Sequence, residues 1–424
     1  MPNRTISNRP QPAESEPAVV VPNEQRSASR GKSSHTTYWN RAATVNSRLK
    51  IVVFSLIPVT LLLIVLEVAG RLLYPFDEDK RAMVMAERDP RSTLSFFDQE
   101  PGAQRIIWDF NRMPRRYVAF LGFLGQPDTR LPTLRTNQLG FRDEPLSPRR
   151  PGEVRVLVLG GSTSWGLGAS SNDATVRGAL RRQLNARGGA SYRVMSGAFL
   201  GYLARQEMIV LTEFLETFDP DVIVSLTGHN DVMSIMHDTG GVLQRWESRT
   251  LEEAVTNQLK PMDTLTALRK VAGSLGIWRL VVYLRETAPP RRRDGPGVRY
   301  DAERSQRLAA RVTEFHRINA EFAARHGRRY VIAMQPDIYS TRKPMGDEEK
   351  SVRERFTAIS RNVETVYPQY REDLARSLAG LPGVTFVDLR ERFDAIAEPL
   401  FIDDCHLIDR GYDLIAAGIA AAID

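Results

Sequence analysis

Short apolar-rich runs alternate with amphipathic segments over the second half of the chain. The apolar runs predict five buried strands, at about 154–159, 192–195, 221–226, 328–336 and 384–389. The amphipathic segments predict helices, at about 174–187, 203–218, 302–325, 347–379 and 409–423. Strands that alternate with helices are typical of a parallel sheet covered on both faces. We therefore predict a three-layer α/β/α domain over residues 151–424.

One uncharged apolar run, Ile51–Leu66, stands apart from this pattern. A helix extended to Leu73 would be about 35 Å long, which is enough to cross a bilayer. A cleaved signal peptide would begin near residue 1, and a core helix would have a polar face. The run has neither property, so we predict a transmembrane helix over residues 49–74.

Charge supports an orientation for this helix. The pI of about 9.6 and the net charge of +7 favour a nucleic-acid partner at first sight. However, residues 1–50 contain eight basic and three acidic residues, a net charge of +5, so the rest is nearly neutral. We therefore expect no nucleic-acid partner. The positive-inside rule predicts a single-pass inner-membrane protein with a cytoplasmic N-terminus and a periplasmic or extracellular domain after residue 75.

The remaining segments have weaker patterns. Residues 1–48 are rich in Pro, Ser, Asn and Arg without apolar periodicity, which predicts a disordered tail. Residues 75–150 are mixed and are interpreted as a linker or accessory segment. A polar, helical insertion is predicted at about 240–300. The chain has one cysteine, Cys405, so no intramolecular disulfide is expected.

Two polar motifs follow predicted strands at the sheet edge where parallel α/β folds bind ligands. Ser162 follows Gly160 and Gly161 after the first strand, where a tight turn would expose a nucleophilic hydroxyl. An ordinary turn or a phosphate cradle is the alternative, although no lysine follows. Asn230 follows the third strand and would offer an amide to a developing oxyanion, or would form a simple Asn-Asp turn.

A third motif, Asp403 to His406, precedes the last helix. In a tight loop this spacing lets the carboxylate accept Nδ1–H of the imidazole and leaves Nε2 as a base. A structural loop histidine is the alternative. Two other readings are Cys405 as the nucleophile and a metal site that would need further ligands, such as His229 or His237. We expect no metal.

Together the three motifs resemble the SGNH hydrolases, the GDSL-like lipase/acylhydrolase family, over residues 154–423. In that family a serine follows strand one, a glycine follows strand two, G-x-N-D follows strand three and D-x-x-H precedes the last helix. Gly201 matches the second block, which departs from the family pattern by Ser196 in place of Asn and Ala198 in place of Gly. Gly161 stands where many members have Asp. The membrane anchor also resembles that of anchored bacterial members.

The resemblance implies a flavodoxin-like sheet and an esterase without a cofactor. Ser162, His406 and Asp403 would form the catalytic triad, and Ser162, Gly201 and Asn230 the oxyanion hole. The expected partner is an ester-bearing substrate, such as an acetylated or otherwise acylated glycan or lipid. A polysaccharide O-acyltransferase with the same triad and a non-catalytic glycan-binding assembly protein are the alternatives.

Other conspicuous side chains are expected to be structural. Trp165, next to the serine, is interpreted as a core residue. His316 and His326 lie in predicted helices and are expected to be solvated, as is His237.

Overall fold

The computed structural model describes residues 35–74, 78–236, 271–287, 302–355 and 357–423. The chain consists of two compact units, Met1–Ile64 and Val65–Asp424. His237 and most of the predicted insertion at 240–300 lie outside the described residues. Of the insertion, only residues 271–287 are described.

The first helix, α1 (His35–Leu73), includes the predicted span. Its segment Lys50–Leu73 is long and apolar enough to cross a membrane, and its most apolar 18-residue stretch has no buried residue. Residues 35–48 are helical, so the prediction of disorder is wrong for that stretch. Extending an existing helix by a residue costs much less than nucleating one, so the apolar part of α1 propagates into its polar flank. Pro58 lies within the helix, as expected.

A five-stranded parallel sheet forms the centre of the second unit, as predicted. Its strands are β3 (Glu153–Gly160), β4 (Ser191–Ser196), β5 (Val222–Thr227), β6 (Arg329–Met334) and β7 (Val384–Asp388). The spatial order is β4-β3-β5-β6-β7, with all four pairings parallel. Every residue of β5 is buried although its side chains point alternately to the two faces, so both faces are covered.

Helices cover the sheet in two groups. In one group α5 (Val176–Ala186) packs against α12 (Asp409–Ile423). In the other, α9 (Ala302–Arg325) packs against α6 (Ala204–Phe218) and α11 (Thr357–Leu378). The remaining helices of the sheet region are α4 (Ser162–Trp165), α7 (His229–Met236), α8 (Gly276–Thr287) and α10 (Asp347–Glu354).

Residues 78–150 belong to the same compact unit as the sheet. They form α2 (Glu78–Arg88), α3 (Ala103–Arg112) and the hairpin β1 (Arg115–Val118) and β2 (Gly122–Gly125). Phe97, Ile107 and Phe141 of this segment are fully buried and join the apolar core of the sheet domain. The segment therefore packs as an integral layer of the domain.

The register brings the predicted motifs to one edge of the sheet. Gly160, the last residue of β3, pairs with Leu226 near the end of β5. On its other side β3 pairs with β4. The segments that follow these three adjacent strands carry Ser162, Gly201 and Asn230. Beside them, Trp165 is buried with the Arg142 guanidinium 4.7 Å above its ring, which confirms it as a core residue.

Candidate active site

Ser162 lies directly after the β3 turn and is the first residue of α4. The turn depends on Gly160, which has φ +135° and leaves room for the Leu226 carbonyl oxygen, which would lie 2.5 Å from an added Cβ. The residues that follow the serine are buried, whereas Ser162 is partly exposed. The short turn therefore presents the hydroxyl at the surface of the sheet edge.

Asp403 and His406 lie in the loop between β7 and α12. The Asp403 carboxylate accepts the backbone N–H of His406 at 2.8 Å and that of Cys405 at 3.2 Å. These bonds fold the loop so that His406 Nδ1 lies 2.8 Å from both carboxylate oxygens. The imidazole then places Nε2 2.6 Å from Ser162 Oγ. With Nδ1 protonated towards the carboxylate, Nε2 is the acceptor for the serine hydroxyl.

Arg91 is a neighbour of this loop that sequence reasoning missed. It lies in a short 3₁₀ helix, Pro90–Thr93, and its Nη1 is 3.0 Å from Asp403 Oδ2. Asp89 holds the same guanidinium through two further bonds. Burial by itself raises the pKa of Asp403, but His406 and Arg91 hold that pKa well below its ordinary value. Asp403 is therefore a carboxylate at neutral pH.

Three N–H groups that follow β3, β4 and β5 are candidate donors to a substrate oxygen. Asn230 Nδ2 donates one hydrogen to the Tyr202 carbonyl at 3.1 Å. Its second hydrogen has no acceptor among the described residues. The same nitrogen lies against Gly161, where an added Cβ would be 2.1 Å away. The backbone N–H groups of Ser162 and Gly201 have no protein acceptor within the described part of the chain. Such a group of donors can bind a negatively charged oxygen.

His229, next to Asn230, is buried between two carboxylates. Its Nδ1 is 3.2 Å from Asp337 and its Nε2 is 3.5 Å from Asp404. Burial lowers the pKa of His229, but Asp404 and Asp337 outweigh it and raise that pKa to about 9. The ring is thus a cation that neutralises two buried acids, and both its nitrogens face carboxylates.

Asp231 connects the two loops that supply the donors. Its carboxylate accepts the Ala204 N–H at 3.3 Å, just after the Gly201 loop, and the Thr227 hydroxyl at 2.6 Å. His316 Nε2 lies 2.8 Å from the same carboxylate and is fully buried, so the prediction that His316 is solvated is wrong. The reason is that α9 packs between α6 and α11 and turns this histidine inward. His326, by contrast, is exposed.

The sequence alternatives find less support in the geometry. Cys405 is buried, and burial raises the pKa of its thiol well above the ordinary value, which keeps it protonated and weakly nucleophilic. Asp403, Asp404, Cys405 and His406 have ligand atoms within 4.8 Å of one another. The Asp403 oxygens already bind His406 and Arg91, and a thiol must ionise to bind a metal.

No protein-family model matches the chain, and no curated protein matches it. Among solved structures, the chain is similar to a GDSL-like lipase from Bacteroides thetaiotaomicron, with 13% identity, 66% of this chain and 91% of that chain covered, and a TM-score of 0.31. It is also similar to an acetylxylan esterase from Geobacillus stearothermophilus, solved as a catalytic mutant (12% identity, 64% and 94% covered, TM-score 0.36). A lipase from a goat rumen metagenome gives 15% identity, 63% and 97% coverage and a TM-score of 0.34. Identities and TM-scores this low do not show that the chain belongs to the family of these proteins.

Proposed function

We propose that the chain is a serine esterase of the SGNH type that hydrolyses carboxylic esters through an acyl-enzyme. The observation that carries the proposal is the continuous chain of contacts from Asp403 through His406 Nδ1 and Nε2 to Ser162 Oγ. The residues come from two loops more than two hundred positions apart in sequence, yet every contact is at hydrogen-bond distance. A nucleophile, a base and a group that orients the base are the parts that acyl transfer requires.

In the proposed mechanism Ser162 Oγ attacks the ester carbonyl while its proton passes to His406 Nε2. The tetrahedral intermediate collapses, the C–O bond to the alcohol breaks, and His406 returns the proton to the leaving alkoxide. Water then attacks the acyl-enzyme by the same route and releases the acid. Asp403 holds the imidazole in the required tautomer and stabilises its cationic form, which the low pKa of Asp403 favours.

The oxyanion would be bound by the second Nδ2 hydrogen of Asn230 and the backbone N–H groups of Ser162 and Gly201. Among the described residues these N–H groups have no further protein acceptor, which supports this role, because they need no rearrangement before they bind the charge that develops on the carbonyl oxygen.

We further propose that residues 49–74 anchor the enzyme in the cell membrane with the catalytic domain outside the cytoplasm. The apolar segment Lys50–Leu73 and the basic flank before it support this topology. An esterase at that place would meet acylated envelope glycans or lipids, and acetyl esters of glycans are the substrates we would assay first.

The test compares Ser162→Ala with Ser164→Ala in the full-length protein. Ser164 lies in the same turn, but its hydroxyl donates to the Leu159 carbonyl at 3.0 Å and is buried. We expect Ser162→Ala to lose both p-nitrophenyl acetate turnover and labelling by a fluorophosphonate, and Ser164→Ala to retain both. Folded parent protein that neither reacts with the probe nor hydrolyses esters contradicts the proposal.

The same assay distinguishes hydrolysis from acyl transfer. Acetate released into water is counted against acetyl groups recovered on an added oligosaccharide. We expect release to account for the acyl groups consumed. Quantitative recovery on the sugar would overturn hydrolysis while it preserved the triad.

A further inference from the structure

The helix α8 buries one charged side chain and exposes three large apolar ones. Gly276, Arg279 and Tyr283 are buried against the protein, although Arg279 is charged. The opposite side exposes Trp278, Val281 and Leu284, each more than half exposed. We call these three residues the α8 apolar face. In a water-soluble domain the outer side of a surface helix is normally polar. An exposed apolar face of this kind is typical of a site that contacts another protein or a membrane.

The inward side of α8 is held by the end of α1. The Glu67 carboxylate accepts the Ile277 N–H at 3.1 Å, which caps the first turn of α8. The two backbones touch at glycines, because a Cβ on Gly70 would lie 1.7 Å from the Gly276 carbonyl oxygen. Arg279 reaches past this crossing to donate to the Tyr74 carbonyl at 3.2 Å. Arg279 is thus buried because it closes this junction.

The crossing lies near the end of the apolar segment. Glu67 lies six residues before Leu73, the end of the segment Lys50–Leu73, which corresponds to about 9 Å along a helix. Helices that lie in a membrane interface bury their apolar face by about 5–10 Å at the boundary between headgroups and acyl chains. An exposed tryptophan is also typical of that boundary.

We propose that α8 is an interfacial helix whose apolar face, Trp278, Val281 and Leu284, docks into the outer surface of the bilayer beside the exit of α1. The inference rests on the membrane anchoring proposed above. Two attachments, the span and α8, would hold the catalytic domain against the lipid surface in one orientation. Val271 and Leu275, which precede α8 and are exposed, would extend the contact.

The test places an environment-sensitive fluorophore at single cysteines in the full-length protein. The sites are Val281→Cys on the apolar face, Leu62→Cys within the span, and Glu354→Cys on the exposed end of α10 as the aqueous control. Cys405 is buried, and parent protein treated in the same way measures its background. Each variant is reconstituted into phosphatidylethanolamine and phosphatidylglycerol vesicles with spin-labelled lipid or aqueous iodide as quencher. A thermal unfolding transition like that of the parent verifies that each labelled protein is folded.

We expect the label at Val281 to be quenched by shallow spin-labelled lipid and protected from iodide, and the label at Glu354 to show the reverse. Adding Trp278→Glu should move the Val281 label towards the iodide-quenched state, whereas Trp278→Ala should move it less. A label at Val281 that iodide quenches as strongly as at Glu354, while Leu62 is quenched by lipid, overturns the inference and leaves the anchoring intact.

Two further outcomes also decide the question. Protection of Val281 from both quenchers overturns the inference in favour of a protein partner or a second copy of this chain. A label at Leu62 that lipid does not quench overturns the anchoring, and the inference with it. The ester assay is independent of all these outcomes.

Discussion

Gly161→Ala is the substitution that should separate the proposed oxyanion site from folding. A Cβ at this position would lie 2.1 Å from Asn230 Nδ2 and 3.2 Å from its Cγ. Ordinary contacts between such atoms are about 3.5 Å, so the amide would have to move by more than about 1 Å. Gly161 has φ −87° and ψ −153°, an extended conformation that alanine adopts without strain. The perturbation therefore falls mainly on Asn230, with a smaller one on the Tyr202 carbonyl oxygen, which would lie 3.3 Å from the Cβ.

The size of the effect follows from this displacement. Misplacing a catalytic group by 1 Å costs about 10²-fold in rate, and removing an oxyanion donor costs about 10²–10³-fold. We expect Gly161→Ala to lower kcat for p-nitrophenyl acetate by about 100-fold, with a small change in KM. Gly197→Ala is the control, because its Cβ would meet side-chain carbons of Leu159 and Val210 instead of a donor. It should affect thermal stability more than kcat.

A double variant tests whether the alanine acts through Asn230. If it does, adding Asn230→Ala to Gly161→Ala should cause little further loss, because the donor is already displaced. Parent-like turnover by folded Gly161→Ala would refute the reasoning. So would losses that multiply in the double variant, since the two positions would then act independently.

Three further predictions concern the charged groups around the site. Asp403→Asn should lower kcat by about four orders of magnitude because it removes the partner that sets the His406 tautomer. Arg91→Gln should lower kcat much less, because His406 and two backbone N–H groups still hold the Asp403 carboxylate. Equal losses of kcat in the two variants would contradict this ranking. Burial raises the pKa of Glu207 to about 7 despite the Ser225 hydroxyl at 2.5 Å; the parent should therefore lose stability as the pH rises from about 4.5 to about 7, and Glu207→Gln should recover up to about 3 kcal/mol above that range. A thermal unfolding series in which the two proteins respond identically to pH would exclude this role. His229 contributes stability that is complete below its ordinary pKa of 6.5 and is lost as the pH rises through about 9. In His229→Gln this pH dependence should disappear, and the variant should be less stable because Asp337 and Asp404 lose their cationic partner. A parent whose melting temperature is flat between pH 6.5 and 9 would rule out this contribution.

The elements of the sheet were predictable because local patterns determine them. A strand buried on both faces is mostly apolar, so β3 and β5 are visible as short apolar-rich runs. The apolar helix at Lys50–Leu73 is visible for a similar reason, since it is long and rich in apolar residues, as a membrane span would need to be. Where patterns were weaker the predictions were wrong, as for the helical residues 35–48. The composition of residues 35–48 does not indicate that α1 continues into them.

The candidate site was predictable in its motifs and unpredictable in its surroundings. Asp403 and His406 are three residues apart, so a tight loop suffices to join them. Arg91 reaches Asp403 from more than three hundred residues away, and no spacing in the sequence connects them. His316 resembles any helical histidine until the packing of α9 turns it towards Asp231.

The order of strands and helices, the apolar segment and the residue types at the strand ends can be predicted from the amino-acid sequence, because they depend on periodicity and on local geometry. Contacts between distant groups depend on how the elements pack in the fold. The fold brought Ser162 Oγ to 2.6 Å from His406 Nε2 and set Arg91 against Asp403. It also turned the charged Arg279 inward and the apolar face of α8 outward, because a buried polar group must find its partner wherever the fold provides one.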